Sequence, residues 1–365
     1  MRSSDLIRRL VLACQLAVLA QLGGCLLPDA KRDERATGAD AGTIDAGTQN
    51  KQRDAAASGK PNDDGESSAP EPAPPTEHVF AEWPMPDALP GSQTKPSYAS
   101  TDTIIIDKVT GLRWQSRPPE IYGPCTGKYR VDGATGSGCT WAEAVAYCRT
   151  SELGLALGGG IWRLPTKIEL ESILDETRVF AIYPLFDTYP IDFFWTASPY
   201  IKPTTGGLQL AWAVDFAEGW TYNSSRIKAG RVRCVTSDDA VGGGGPQYSL
   251  EDEVVTDERT RLVWQRVAAS TQHTWVEAIA YCKALEVAGG GWRLPALKEL
   301  LTLVDPRRRD PAIDTTAFPD TPESVFWTAS PFLDETQQAF QIDFRDGSSQ
   351  KFGSVEDRHH ARCVR

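Results

Sequence analysis

The tetrapeptide Trp-Arg-Leu-Pro occurs twice, at residues 162–165 and 292–295, and it constrains this chain more than any other feature. Matched landmarks surround both copies. Upstream lie Trp114-Gln115 and Trp264-Gln265, then Trp-x-x-Ala-x-x-Tyr-Cys at 141–148 and the same pattern, Trp-x-x-Ala-x-x-Tyr-Cys, at 275–282. Downstream come Phe-Trp-Thr-Ala-Ser-Pro at 194–199 and 326–331, and finally Arg233-Cys234-Val235 and Arg362-Cys363-Val364. Landmarks in one order at matched spacing mark a duplicated domain. The copies span 98–237 and 248–365, each an ordinary single-domain length, joined by a glycine-rich linker at 238–247.

What precedes the repeats has a different character. Arg2, Arg8 and Arg9 lead into an uncharged apolar run at 10–22, too short for a spanning helix, which takes about 20 residues. Residues 1–25 therefore predict a signal peptide. The run ends in Leu22-Gly23-Gly24-Cys25, which resembles a bacterial lipobox. That resemblance implies lipidation of Cys25 and a membrane-anchored protein of the cell envelope, on the outer membrane or cell surface or facing the periplasm. Residues 26–97 are rich in Ala, Asp, Gly, Pro and Ser. Such a stretch buries too little apolar surface to offset its ordering entropy, and it predicts a disordered tether with a reach of roughly 45 Å.

Charge narrows the partners. The chain has a formal net charge of −11. Residues 26–97 carry 13 acids and 7 bases, the first repeat 14 of each, and the second 19 acids and 14 bases. No region has the basic excess of a nucleic-acid binder, so nucleic acid is not an expected partner.

Six cysteines lie in the repeats. Cys148 and Cys234 correspond to Cys282 and Cys363, so each pair is expected to bridge within its own repeat; Cys125 and Cys139, in an insertion unique to the first repeat, most simply pair together. Both repeats open with Asp-x-x-Thr-x-Leu-x-Trp-Gln, which alternates as a half-buried strand does. A helix with a capping box follows, Thr140 with Glu143 and Thr274 with Glu277. Trp141, Val145 and Cys148 share one face, as do Trp275, Ile279 and Cys282. Past the Trp-Arg-Leu-Pro corner a second helix begins, boxed by Thr166 and Glu169 but with Ala296 at the equivalent cap, a loss of about 1 kcal/mol. A terminal hairpin turns at Gly219 and Gly347, and the last strand carries the final cysteine.

This order of elements resembles the C-type-lectin-like fold: an α+β chain of two tandem domains, each with two helices packed on small antiparallel sheets and an intradomain disulfide. More narrowly, the Trp-Gln, Trp-x-x-Ala-x-x-Tyr-Cys, Gly-Gly-x-Trp-Arg-Leu-Pro and Arg-Cys-Val elements resemble the Lcl C-terminal domain family. The resemblance implies extracellular binding or adhesion, with a glycan or protein ligand; the alternative is a structural envelope protein that docks a protein partner. Formylglycine-generating enzymes share a distantly similar Arg-Leu-Pro-Thr element on a related fold.

Little points to catalysis. The four histidines do not recur between the repeats, and neither His-Glu-x-x-His nor Gly-x-Ser-x-Gly is present. No cofactor and no metal is expected, although Asp343 with Asp346 could weakly hold a cation. The shared polar pairs Gln115/Gln265, Glu143/Glu277, Arg163/Arg293, Glu169/Glu299, Asp215/Asp343 and Arg233/Arg362 have structural roles available by position. Differences between the copies are more informative. Trp212, Trp220 and Tyr222 flank the first hairpin turn where the second repeat has Phe340, Ser348 and Gln350. They are candidates to stack on a ligand, or else they pack against the Cys125–Cys139 insertion. Arg307, Arg308 and Arg309 form a loop cluster unique to the second repeat, a candidate anion contact or simply a solvated loop.

Overall fold

The computed structural model describes residues 80, 81, 83, 98–119, 122–131, 134–178, 181–186, 193–201, 209–237, 248–332 and 337–365. The predicted signal with Cys25, nearly all of the tether and the linker 238–247 lie outside the described residues.

In the first repeat the order is β1 (Tyr98–Ser100), β2 (Ile104–Asp107), β3 (Arg113–Gln115), β4 (Gly127–Val131), β5 (Ala134–Gly138), α1 (Trp141–Cys148), α2 (Ser151–Ala156), α3 (Lys167–Ser172), β6 (Phe193–Tyr200), β7 (Leu210–Asp215), β8 (Trp220–Ser225) and β9 (Val235–Thr236). The second repeat runs β10 (Tyr248–Leu250), β11 (Val254–Asp257), β12 (Val263–Gln265), α4 (Trp275–Ala284), α5 (Leu297–Leu301), β13 (Val325–Pro331), β14 (Gln338–Asp343) and β15 (Ser348–Ser354). The architecture is α+β. Its antiparallel sheets are small: β1-β2-β3-β9 and β6-β7-β8 in the first copy, β10-β11-β12 and β13-β14-β15 in the second, and the β4-β5 hairpin of the insertion. The first repeat has a third short helix, α2, where the second has a single 3-10 turn at Val287–Gly289.

The opening motif is a hairpin and not one alternating strand. Asp107 Oδ1 accepts from the Val109 and Thr110 N–H groups, turning the chain between β2 and β3. Asp257 does the same for Arg259 and Thr260. Both turns need a left-handed residue, Gly111 in one copy and Arg261 in the other.

Each Trp-Arg-Leu-Pro corner is held by an ion pair. Arg163 forks onto Glu169 at 2.6 and 2.7 Å, and Arg293 onto Glu299 at the same distances. The glutamate, fully buried, also accepts from the cap residue's N–H, Thr166 or Ala296, at 2.8 Å. A planar guanidinium meeting a carboxylate bidentately is both strong and directional. Ala296 has no hydroxyl to complete the box, so α5 keeps only the half that Glu299 supplies.

Three disulfides close the repeats: Cys148–Cys234, Cys282–Cys363 and Cys125–Cys139. The first two span 86 and 81 residues; loops of that length stabilise by up to about 4.5 kcal/mol in the chain-entropy account. The insertion covers α1. Tyr122 packs edge-on against Tyr147, and Thr126 donates to Glu143. Without an insertion the second repeat leaves the matching helix barer, and Ile279, expected on the buried face, is 37% exposed.

The central hairpin separates two cores. Residues alternate across a strand, so Phe194, Val214 and Phe216 face α3 while Trp195, Ala211 and Ala213 face α1. The α3-side core is shared by both repeats, combining Ile168, Leu170 and Val214 with Leu297, Leu300 and Ile342. Here α3 contacts α5, its own counterpart, and β8 contacts β15, likewise its counterpart. An element meets its own copy in this way across a two-fold axis, so the tandem packs as a pseudo-symmetric pair. At the seam the Thr221 N–H donates to Ser349 Oγ at 2.8 Å, Lys298 Nζ donates to the Ser172 carbonyl at 2.9 Å, and Tyr200 OH bonds Asp346 at 3.0 Å. Gly219 comes so close to Phe340 and Ala181 that a Cβ there would sit 2.7 Å from Ala181. Two sheet edges that would otherwise offer open backbone groups cover each other.

Candidate binding site

The three aromatic candidates of the first hairpin do not act together. Trp212 is 0% exposed on the α3 side, against Tyr200 at 5.1 Å and beneath the Lys167 ammonium at 5.1 Å. Its ring is core, and the expectation that it contacts ligand is corrected. The strand alternation that buries Trp212 puts Trp220 and Tyr222 on the opposite face, both half-buried. Their rings lie 5.6 Å apart, and Phe193 continues the row 6.2 Å beyond Tyr222. The three rings make a partly exposed aromatic strip at one end of the first repeat.

Sequence comparison of the copies missed Phe193, because its role is shared with a residue far along the chain. Gly230 leaves room for it: a Cβ there would lie 2.3 Å from the Phe193 ring. In the second repeat Val325 and His359 occupy these two positions, and His359 instead packs at a tilt against Trp327, 4.6 Å away. Burial holds the His359 imidazole below the usual histidine range. The two copies thus fill one space by different pairs.

The arginine cluster is neutralised where it stands. Asp305 accepts from Arg307 at 3.0 and 3.3 Å and pairs with Arg308 at 3.2 Å. Arg309 bonds Tyr200 OH and lies 3.7 Å from both Asp310 and Asp346. Burial and the Asp346 carboxylate push the Tyr200 phenol up to about 12, so it stays protonated. Each cation has a carboxylate neighbour, so the charge of this loop is largely balanced where it stands. The weak cation site fails for the complementary reason: Asp343 is engaged by Arg345, and Asp346 by Ser348, Tyr200 and Arg309. Among the described residues no cluster of His, Cys, Asp and Glu is arranged to hold a metal.

The shared polar pairs are structural. Gln115 and Gln265 accept from the Cys234 and Cys363 N–H groups, and Arg233 and Arg362 donate to the carbonyls of Gln115 and Gln265. Burial lowers Arg362 to about 9. One asymmetric pair was overlooked, although matching registers display it. Lys167 and Glu171 form a 2.7 Å ion pair, 2% and 1% exposed, at positions where the second repeat has Leu297 and Leu301. Desolvation pushes the Glu171 carboxyl up, with Lys167 opposing.

These features define a tandem of small, disulfide-tied α+β domains whose polar signature residues serve the fold and whose differences lie at the aromatic strip, the seam and the arginine loop. The model of the Lcl C-terminal domain matches residues 103–236 and again 253–365, and the chain belongs to that family. Comparison with curated proteins returns no match.

Proposed function

We propose that this protein is a lipid-anchored binding protein of the bacterial envelope, tethered through Cys25, whose tandem domains adopt the C-type-lectin-like arrangement and engage a glycan or protein ligand without catalysis. One observation carries the choice of ligand face. Trp220 and Tyr222 stay partly exposed in a row with Phe193, and the second copy folds with Ser348 and Gln350 in their places. Ring faces of this kind suit sugar planes and partner side chains alike. The three described histidines support a non-catalytic reading, since each packs on an aromatic ring: His273 stacked on Tyr281, His359 tilted against Trp327 and His360 tilted against Phe326.

The test is a glycan array and an envelope-protein pull-down with residues 67–365, repeated with Trp220→Ala. A tryptophan at a contact centre contributes 2 kcal/mol or more. The variant should therefore bind about 30-fold more weakly with a melting temperature within a few degrees of the parent. Sugar hits identify a lectin, and one protein partner an assembly module. Unchanged binding, or a sharp loss of thermal stability, would remove the strip from consideration.

A further inference from the structure

Phe80 and Trp83 are the only aromatic residues between the predicted lipidation site and Tyr98. They fall inside the stretch expected to be a featureless tether, yet both are buried. Phe80 is 4% exposed, Ala81 is 2% and Trp83 is 5%. Ala81 and Trp83 join the apolar core common to the two repeats. Phe80 lies beneath the Arg307 guanidinium, 5.1 Å from its centre. This contact is made to the second repeat, although the segment leads directly into the first.

The Arg307 side of the contact is held by its own loop. Asp305 is 4% exposed and takes both the Arg307 N–H, at 2.9 Å, and its guanidinium, at 3.0 and 3.3 Å. The cation is thereby fixed with its guanidinium over the Phe80 ring, while its side chain remains 55% exposed. A guanidinium over an aromatic ring is attracted by the ring quadrupole. In the first repeat Thr177 stands at the matching position, its N–H donating to Asp175, and the cation that Asp175 holds is Arg178, at 2.6 Å, which lies over Tyr183 of its own repeat. The copies differ in the ring that the held arginine covers: Tyr183 of the same repeat in the first, Phe80 of the upstream segment in the second.

We propose that the Asp305–Arg307 loop and the adjoining shared core form a docking site for an aromatic peptide segment, occupied in cis by Phe80 and Trp83. The tether is then latched to the folded unit at Phe80, eighteen positions before the first strand begins at Tyr98, on the second repeat. This inference stands apart from the aromatic strip, which lies on the first repeat and involves none of these residues.

The experiment uses the full chain and a fluorescein-labelled peptide of residues 77–87. In the wild type the site is filled by the attached segment, whose effective concentration is in the millimolar range. Phe80→Ala/Trp83→Ala empties it. The peptide should bind the double variant saturably and the wild type at least 10-fold more weakly, and adding Arg307→Ala should weaken it a further 2- to 5-fold. Equal binding to both chains, or none to the double variant up to about 1 mM peptide, overturns the proposal. If the double variant does not fold, the wild type still decides. Chymotrypsin should cut after Phe80 in the intact chain at least 10-fold more slowly than in the free peptide; equal rates overturn the proposal.

Discussion

Lys167 and Glu171 show what one residue position decides in a duplicated fold. Both charges are buried, Lys167 over the Trp212 ring, and the second copy fills the same places with Leu297 and Leu301. Removing one member of a buried pair leaves an uncompensated charge, at a cost of about 3–5 kcal/mol, whereas replacing both by apolar groups is commonly neutral or stabilising. In chemical denaturation Glu171→Leu should lower stability by about 3 kcal/mol, and Lys167→Leu/Glu171→Leu should return to within about 1 kcal/mol of the parent. A double variant as unstable as the single one would show that the pair has a role beyond compensation. At this scale the sequence was only partly legible. Register between the copies exposed Trp220 and the arginines, but it could not show that Trp212 faces α3 while Trp220, eight residues on, faces away. That depends on which face of the hairpin meets each helix. It also could not reveal that Asp305, Asp310 and Asp346 close around the arginines, since Asp346 arrives from the turn between β14 and β15.

Among the elements, the two capped helices were the most legible, because a capping box is a local event. Glu143 and Glu277 accept from the Thr140 and Thr274 N–H groups at 2.8 and 3.0 Å, as their spacing predicts. Burial works against the Glu143 carboxylate, but hydrogen bonds from Thr140 and Thr126 outweigh it and hold the group below its ordinary value of 4.5. Glu277 is lowered chiefly by the Thr274 amide. A carboxyl with a depressed folded-state value adds stability that is present above 4.5 and lost as pH falls through the lowered value. Between pH 5 and 2 the wild type should therefore lose stability more steeply than Glu143→Gln/Glu277→Gln. Taking that difference cancels Glu171, whose raised carboxyl acts in the opposite sense. Parallel pH profiles would contradict the assignment. The opening motif was less legible. Its apolar alternation belongs to two strands, and the Asp107 turn between them has the same residue period as a continuous strand.

The molecule as a whole departs most from what the chain alone suggests. Two repeats and a glycine-rich connection at 238–247 read as independent modules, yet α3 packs on α5, β8 on β15, and one apolar core runs through both copies. Nothing in a single repeat's periodicity distinguishes a stripe that covers its own sheet from one that also meets a neighbour. The aromatic pair at 80 and 83 was visible as an exception in an aromatic-free stretch, but its destination was not. A shared core makes unfolding of one repeat expose the apolar face of the other, so the two should melt together. Differential scanning calorimetry of the full chain tests this most directly. One endotherm with equal calorimetric and van't Hoff enthalpies is expected, displaced as a whole by Lys167→Leu in the first repeat. Two separate transitions, with only one moved by that substitution, would contradict it.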